Sequence, residues 1–168
     1  MATAKKAIRV HQIQGGKIEG VQYMDYATGQ TFLLGEVLVF EGGSTGNVIV
    51  ASANPGSGTI VGVSLQAADT SPGFAAANSP TTFTGRSQKV SVVRPNDQTI
   101  FESEFTNNSS TVIAPAKTDI GIQYGITAYS GIWTVDKNKT AGNARVVVTG
   151  IDTDQNVIFW KFIASFLA

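Results

Sequence analysis

Glu102 and Glu104 stand two residues apart within residues 98–105, and on an extended strand that spacing puts both carboxylates on one face. Two neighbouring carboxylates are the machinery of glycoside hydrolysis, one acting as general acid and the other as base or nucleophile. The acid role needs a raised pKa, and the flanking Ser103 and Asn107 give no sign of the desolvation that raises one. A hydrated sheet face explains the pair more simply. Asp152-Thr153-Asp154-Gln155-Asn156 opens like a calcium loop, but the glycine and the bidentate glutamate of such a loop are replaced by Val157 and Ile163. Local side-chain to backbone bonds in a hairpin turn account for the run. His11 is the chain's one histidine, and no Gly-x-Ser-x-Gly motif accompanies it, so neither a multi-histidine metal site nor a serine triad has support. Gly42-Gly43 and Gly56-x-Gly58 lack the Gly-Lys-Ser/Thr ending of a phosphate loop and read as turns. Trp133 and Trp160 are of a type that stacks on sugars, yet both fall in alternating strands where a core position is the simpler reading. These residues nominate no catalytic constellation, no metal and no cofactor, and the expectation is a protein that is not an enzyme.

Composition narrows the partners. The chain has 168 residues with 12 basic and 12 acidic side chains, hence no net charge. Only 14% of residues are charged, against roughly 25% in an average soluble domain, and a balanced total gives no pull toward a phosphate backbone. Nucleic acid is therefore not an expected partner. No stretch approaches the ~20 continuous apolar residues of a membrane span, so no membrane is expected either. The start MATAKKAIRV has no apolar block behind its lysines and does not read as a signal peptide. With no cysteine, disulfides and thiolate chemistry are excluded.

The elements that must position any site are strands. There are 17 Val and 14 Ile against 5 Leu, with 18 Thr, and side chains branched at Cβ suit a pleated strand better than a helix. Alternation and turn residues predict strands at 36–40, 47–51, 59–65, 88–94, 98–105, 119–129, 131–136, 144–151 and 157–167. Ile120, Ile122, Tyr124 and Ile126 are expected on one face, as are Phe101 and Phe105, and Ile158, Trp160, Phe162 and Phe166. The fold class predicted is all-β, a compact β-barrel or tulip-like domain over residues 31–168 with an extended N-terminal arm over residues 1–30.

Two segments stand apart from this rhythm. In the arm, Ile8 and Val10 alternate with Arg9 and His11, a pattern suited to a strand added to another subunit's sheet, with Ile8, Val10 and Ile13 as contact residues. An ordinary edge strand of the same domain is the competing reading. Residues 66–86 form a long Ala/Ser/Thr/Pro/Gly loop in which Phe74 and Phe83 are the apolar anchors expected to contact a partner.

Three stretches, taken in order, resemble the auxiliary head proteins of tailed bacteriophages, the capsid decoration or cement proteins. They are Gly29-Gln30-Thr31-Phe32-Leu33-Leu34-Gly35-Glu36-Val37-Leu38-Val39, then Ile60-Val61-Gly62-Val63-Ser64-Leu65-Gln66-Ala67-Ala68, then Asp119-Ile120-Gly121-Ile122-Gln123-Tyr124-Gly125-Ile126. Trp133-Thr134-Val135-Asp136, Arg145-Val146-Val147-Val148 and a closing apolar strand follow. The resemblance implies a structural protein of the virion, usually a homotrimer, seated on the outer surface of the capsid where subunits of the major capsid protein meet. Two other readings share the composition: a receptor- or carbohydrate-binding virion module using Trp133 or Phe74, and a small β-fold hydrolase using Glu102 and Glu104.

Overall fold

A computed structural model describes residues 6–13, 20–27, 29–43, 46–65, 89–96, 98–108 and 111–168. The Val- and Ile-rich runs become strands, as their Cβ branching dictates: β1 (Arg9–Ile13), β2 (Val21–Asp25), β3 (Val37–Phe40), β4 (Val48–Val50), β5 (Ile60–Ser64) and β6 (Lys89–Val93). After them come β7 (Thr99–Thr106), β8 (Gln123–Tyr129), β9 (Ile132–Asp136), β10 (Val146–Asp152) and β11 (Val157–Phe162). Single turns of 3₁₀ helix occupy Lys117–Asp119, Ala141–Asn143 and Ala164–Phe166. The all-β class is as expected, in the form of two sheets stacked like a sandwich.

The six-stranded sheet runs β1-β7-β11-β10-β8-β9, and β9 also pairs in parallel with β7 through Phe105 with Val135 and Thr106 with Asp136. The five-stranded sheet runs β2-β6-β5-β3-β4, and the chain just past β2 bridges to β4, Tyr26 lying opposite Val48. Both sheets therefore curl back on themselves. The main core fills the space between them, with Phe101, Phe105, Ile126, Ile158, Trp160 and Phe162 from one sheet meeting Val37, Ile60, Val63 and Val93 from the other. A second cluster of Phe32, Leu38, Val48, Val61, Val90 and Val92 lies within the curl of the five-stranded sheet. With apolar side chains on both of its faces, β5 is buried along its whole length.

Residues 9–13, expected as an arm reaching a neighbouring subunit, are instead strand β1 of the chain's own sheet. Arg9 lies opposite Glu102, Val10 opposite Phe101 and Ile13 opposite Thr99. The physical reason is that β7 offers a complementary edge while the core takes up the apolar side chains: Ile8 is buried and Val10 packs on the same cluster. Within residues 1–30, β2 also pairs with β6, and Val21 packs against the main core. The long strand expected over 119–129 begins only at Gln123. A 3₁₀ turn at Lys117–Asp119 and a positive φ of 85° at Gly121 break the alternation, leaving Ile120 and Ile122 exposed while Tyr124 and Ile126 are buried. Phe166 also leaves the strand it was assigned to and sits half-buried in the last 3₁₀ turn.

Candidate functional site

Glu102 and Glu104 do point away from Phe101 and Phe105, but each is occupied. Glu104 is buried and accepts the backbone N–H of Lys6 at 3.2 Å. Glu102 meets the His11 Nδ1 at 3.3 Å, and the His11 ring lies 4.1 Å from that of Phe159 on β11. His11 is the extra residue of a bulge between Val10 and Gln12, and its imidazole lies on this outer face. The cluster fastens β1 to the sheet. Asp152 uses its Oδ1 to accept the N–H groups of Asp154 and Gln155 at 2.9 and 3.0 Å, which is the turn bonding expected of that run. Trp133 and Trp160 are both buried in the main core, so neither presents a ring for stacking.

A polar cluster that the sequence motifs did not single out surrounds Asp119. Its carboxylate accepts from Tyr124 Oη at 2.8 Å and from the Ala116 N–H at 2.8 Å, and it pairs with Lys137 Nζ at 2.8 Å. Burial pushes the Asp119 carboxyl up, but the hydrogen bonds from Lys137, Ala116 and Tyr124 and the lysine charge together hold it below the usual range. Burial, reinforced by that carboxylate, pushes the Tyr124 phenol up to about 12. Lys137 also lies 5.5 Å from the Phe105 ring centre. Every member has a partner, so the arrangement locks the 3₁₀ turn to β8 and the segment after β9.

Among the described residues several large apolar side chains are open to solvent. Tyr23 is 71% exposed, Leu33 50%, Leu34 49% and Leu65 36%, with Phe40, Ile120 and Ile122 also open to solvent. Leu33, Leu34 and Leu65 are on adjacent segments, since Gly35 N–H donates to the Ser64 carbonyl at 2.9 Å and Ser64 Oγ donates to the Leu33 carbonyl at 2.6 Å. Ser64 Oγ accepts the N–H of Glu36 at 3.0 Å, and the Glu36 carboxylate accepts that of Leu33 at 2.9 Å. The turn that displays the leucines is thus bonded on every side to β5 and to itself. It also abuts the β8–β9 hairpin: a Cβ placed on Gly131 would come within 2.5 Å of Leu33 Cδ1. Held in this way, the turn presents its leucines with little main-chain freedom left to lose on binding, which suits a docking contact.

Of the contact residues nominated from sequence, Ile8 and Val10 face inward and Ile13 lies in register with Thr99. Phe74 and Phe83, with the rest of the expected loop, lie outside the described residues. In the sequence the leucine pair is part of a longer stretch, and its signal is two adjacent apolar residues just before a glycine, where strand alternation cannot bury both. Among the described residues no helix is long and apolar enough to cross a membrane. No protein-family model matches the chain, and no curated protein matches it.

Proposed function

We propose that this chain is a capsid decoration protein, a structural component that binds the outer surface of a virus shell and bridges neighbouring copies of the major capsid protein. The observation that carries the reading is the exposed apolar turn at Leu33 and Leu34, continued by Leu65, on a β-sandwich with few charges. The resemblance of the stretches around Phe32, Val63 and Tyr124, taken in their sequence order, to the auxiliary head proteins of tailed phages adds the partner class. Such a protein works by summation. A standard interface of ~1,600 Å² leaves only a fraction of its gross hydrophobic gain after association costs, but repeated over a shell even ~1 to 2 kcal/mol per copy resists expansion. Self-association, as a trimer in this reading, places several such turns on one particle-facing surface.

Replacing Leu33 and Leu34 with Ser tests the reading on shells assembled from the major capsid protein of the same genome. Both side chains are about half exposed, so the fold is expected to survive while occupancy on the shells falls by at least tenfold. The receptor- or carbohydrate-binding alternative rests on Trp133, which is buried, and on Phe74, which lies outside the described residues; a glycan-array screen separates the two readings.

A further inference from the structure

Glu36 is 6% exposed, and among the described residues no basic side chain pairs with it. Its carboxylate has the Leu33 N–H as its hydrogen-bond donor, and a Cβ built on Gly131 would lie 3.8 Å from Oε1. The elements packed around it bring charges that are engaged elsewhere. On the N-terminal segment that crosses Gly35, Lys6 directs its ammonium to the Gln155 carbonyl, 3.4 Å away. On the β8–β9 hairpin, the Tyr129 hydroxyl donates to Asp136 at 3.3 Å. From β5 comes only the hydroxyl of Ser64. A carboxylate in this position loses its hydration without gaining a counter-charge.

We propose that Glu36 is a proton-operated latch on the turn that carries Leu33 and Leu34: with the carboxyl protonated the turn stays closed on β5, and with the carboxylate charged the turn opens toward water. Five hydrogen bonds define the closed state: Leu33 N–H to Glu36 Oε2, Ser64 Oγ to the Leu33 carbonyl, Gly35 N–H to the Ser64 carbonyl, Ser64 N–H to the Glu36 carbonyl and Glu36 N–H to Ser64 Oγ. β3 and β5 are held in the sheet by their own ladder, so the turn between Phe32 and Val37 is the part free to move the carboxylate into solvent. Burial pushes the Glu36 carboxyl above its ordinary 4.5, with the Leu33 N–H only partly offsetting that rise, in agreement with the geometry. A folded-state value above the unfolded one means that the closed turn binds the proton more tightly than the open turn does. The closed state is then favoured fully at acid pH and weakens as pH rises through the window above 4.5. Because the turn displays the two leucines, pH sets how rigidly they are presented. The latch is a property of the isolated chain and stands apart from the decoration reading.

The test is NMR on the isolated full chain. The Glu36 carboxyl carbon is titrated directly, and amide exchange at Leu33, Gly35 and Ser64 is followed across the same pH range after intrinsic base catalysis is removed. The expected result is a carboxyl midpoint above that of an ordinary glutamate, with local opening increasing by up to about tenfold per pH unit within the window. E36Q should flatten that dependence, and the Val148 amide, bonded to the Ile122 carbonyl at 3.0 Å in the other sheet, should not show it in either protein. A Glu36 midpoint at or below the ordinary value, an unchanged dependence in E36Q, or an equal dependence at Val148 would overturn the proposal. If E36Q fails to fold, the wild-type carboxyl titration together with exchange at Leu33 and Gly35, compared with Val148, still decides the matter.

Discussion

The main chain of Ile8 crosses Gly35 so closely that a Cβ on the glycine would lie 2.6 Å from the Ile8 carbonyl oxygen and 2.7 Å from its nitrogen. Ile8 leads into β1 of the six-stranded sheet and Gly35 leads into β3 of the five-stranded one, so this contact ties the two sheets together at one end. The C-terminal residues do the same elsewhere, Leu167 bridging to Ile60 and the Ala168 N–H donating to the Ile60 carbonyl at 2.8 Å.

Gly35→Ala is expected to destabilise the fold strongly, because alanine there meets backbone and also inherits a φ of +81°. The left-handed conformation alone costs about 1–3 kcal/mol. Gly29→Ala provides the comparison, having φ +82° and no atom within 4 Å of the added Cβ. Urea unfolding should show Gly35→Ala the more destabilised of the two, and the difference isolates the Ile8 contact.

Ile8→Ala should cost about 2–5 kcal/mol, the range for emptying a buried aliphatic site. Removing residues 1–13, and with them β1, should lower the melting temperature as well, since β1 supplies a ladder to β7 and part of the main core. Differential scanning calorimetry checks both. An unchanged melting temperature would return the segment to the role of an unattached arm.

Much of this fold was legible in the residues, and the misses have physical causes. Phe101 and Phe105 opposite Glu102 and Glu104 read correctly from period two alone, as did Ile158, Trp160 and Phe162. Ile120 and Ile122 continue the same period without being buried, because Gly121 redirects the backbone before β8 begins and periodicity carries no information about that turn. The N-terminal strand shows a different limit. Alternation of Ile8 and Val10 signals a strand with one apolar face, but whether it pairs with its own chain or another depends on which edge is vacant, a property of the assembled sheet. Asp119 was invisible as a partner of Lys137 because their pairing spans the whole of β8 and β9.

Ser103→Ala should cost about 1–3 kcal/mol despite removing one atom. The Trp160 indole N–H donates to Ser103 Oγ at 2.9 Å inside the main core, and the alanine leaves that donor buried without an acceptor. Equilibrium unfolding measures the loss, and tryptophan fluorescence should shift as the indole surroundings change.

The Asp119 cluster should give the stability curve features at both ends. The Asp119 carboxyl is held below its ordinary 3.8, so its contribution is fully present above that value and is lost as pH falls through the lower folded-state value. Tyr124 is raised from 10.0 to about 12, so its contribution is complete below pH 10 and declines as pH climbs toward 12. Asp119→Asn should remove the acid-side feature, and ultraviolet titration of phenolate should show Tyr124 ionising late in the wild type and earlier in the variant.

The proposed decoration of a capsid is measured most directly by co-sedimentation with shells assembled from the major capsid protein of the same genome, across a protein concentration series. Binding is expected to saturate at a fixed number of copies per shell and to be removed by replacing Leu33 and Leu34 with Ser, with bound copies visible on the outer surface by electron cryomicroscopy. Protein that stays in the supernatant at every concentration, on shells both before and after expansion, would contradict it.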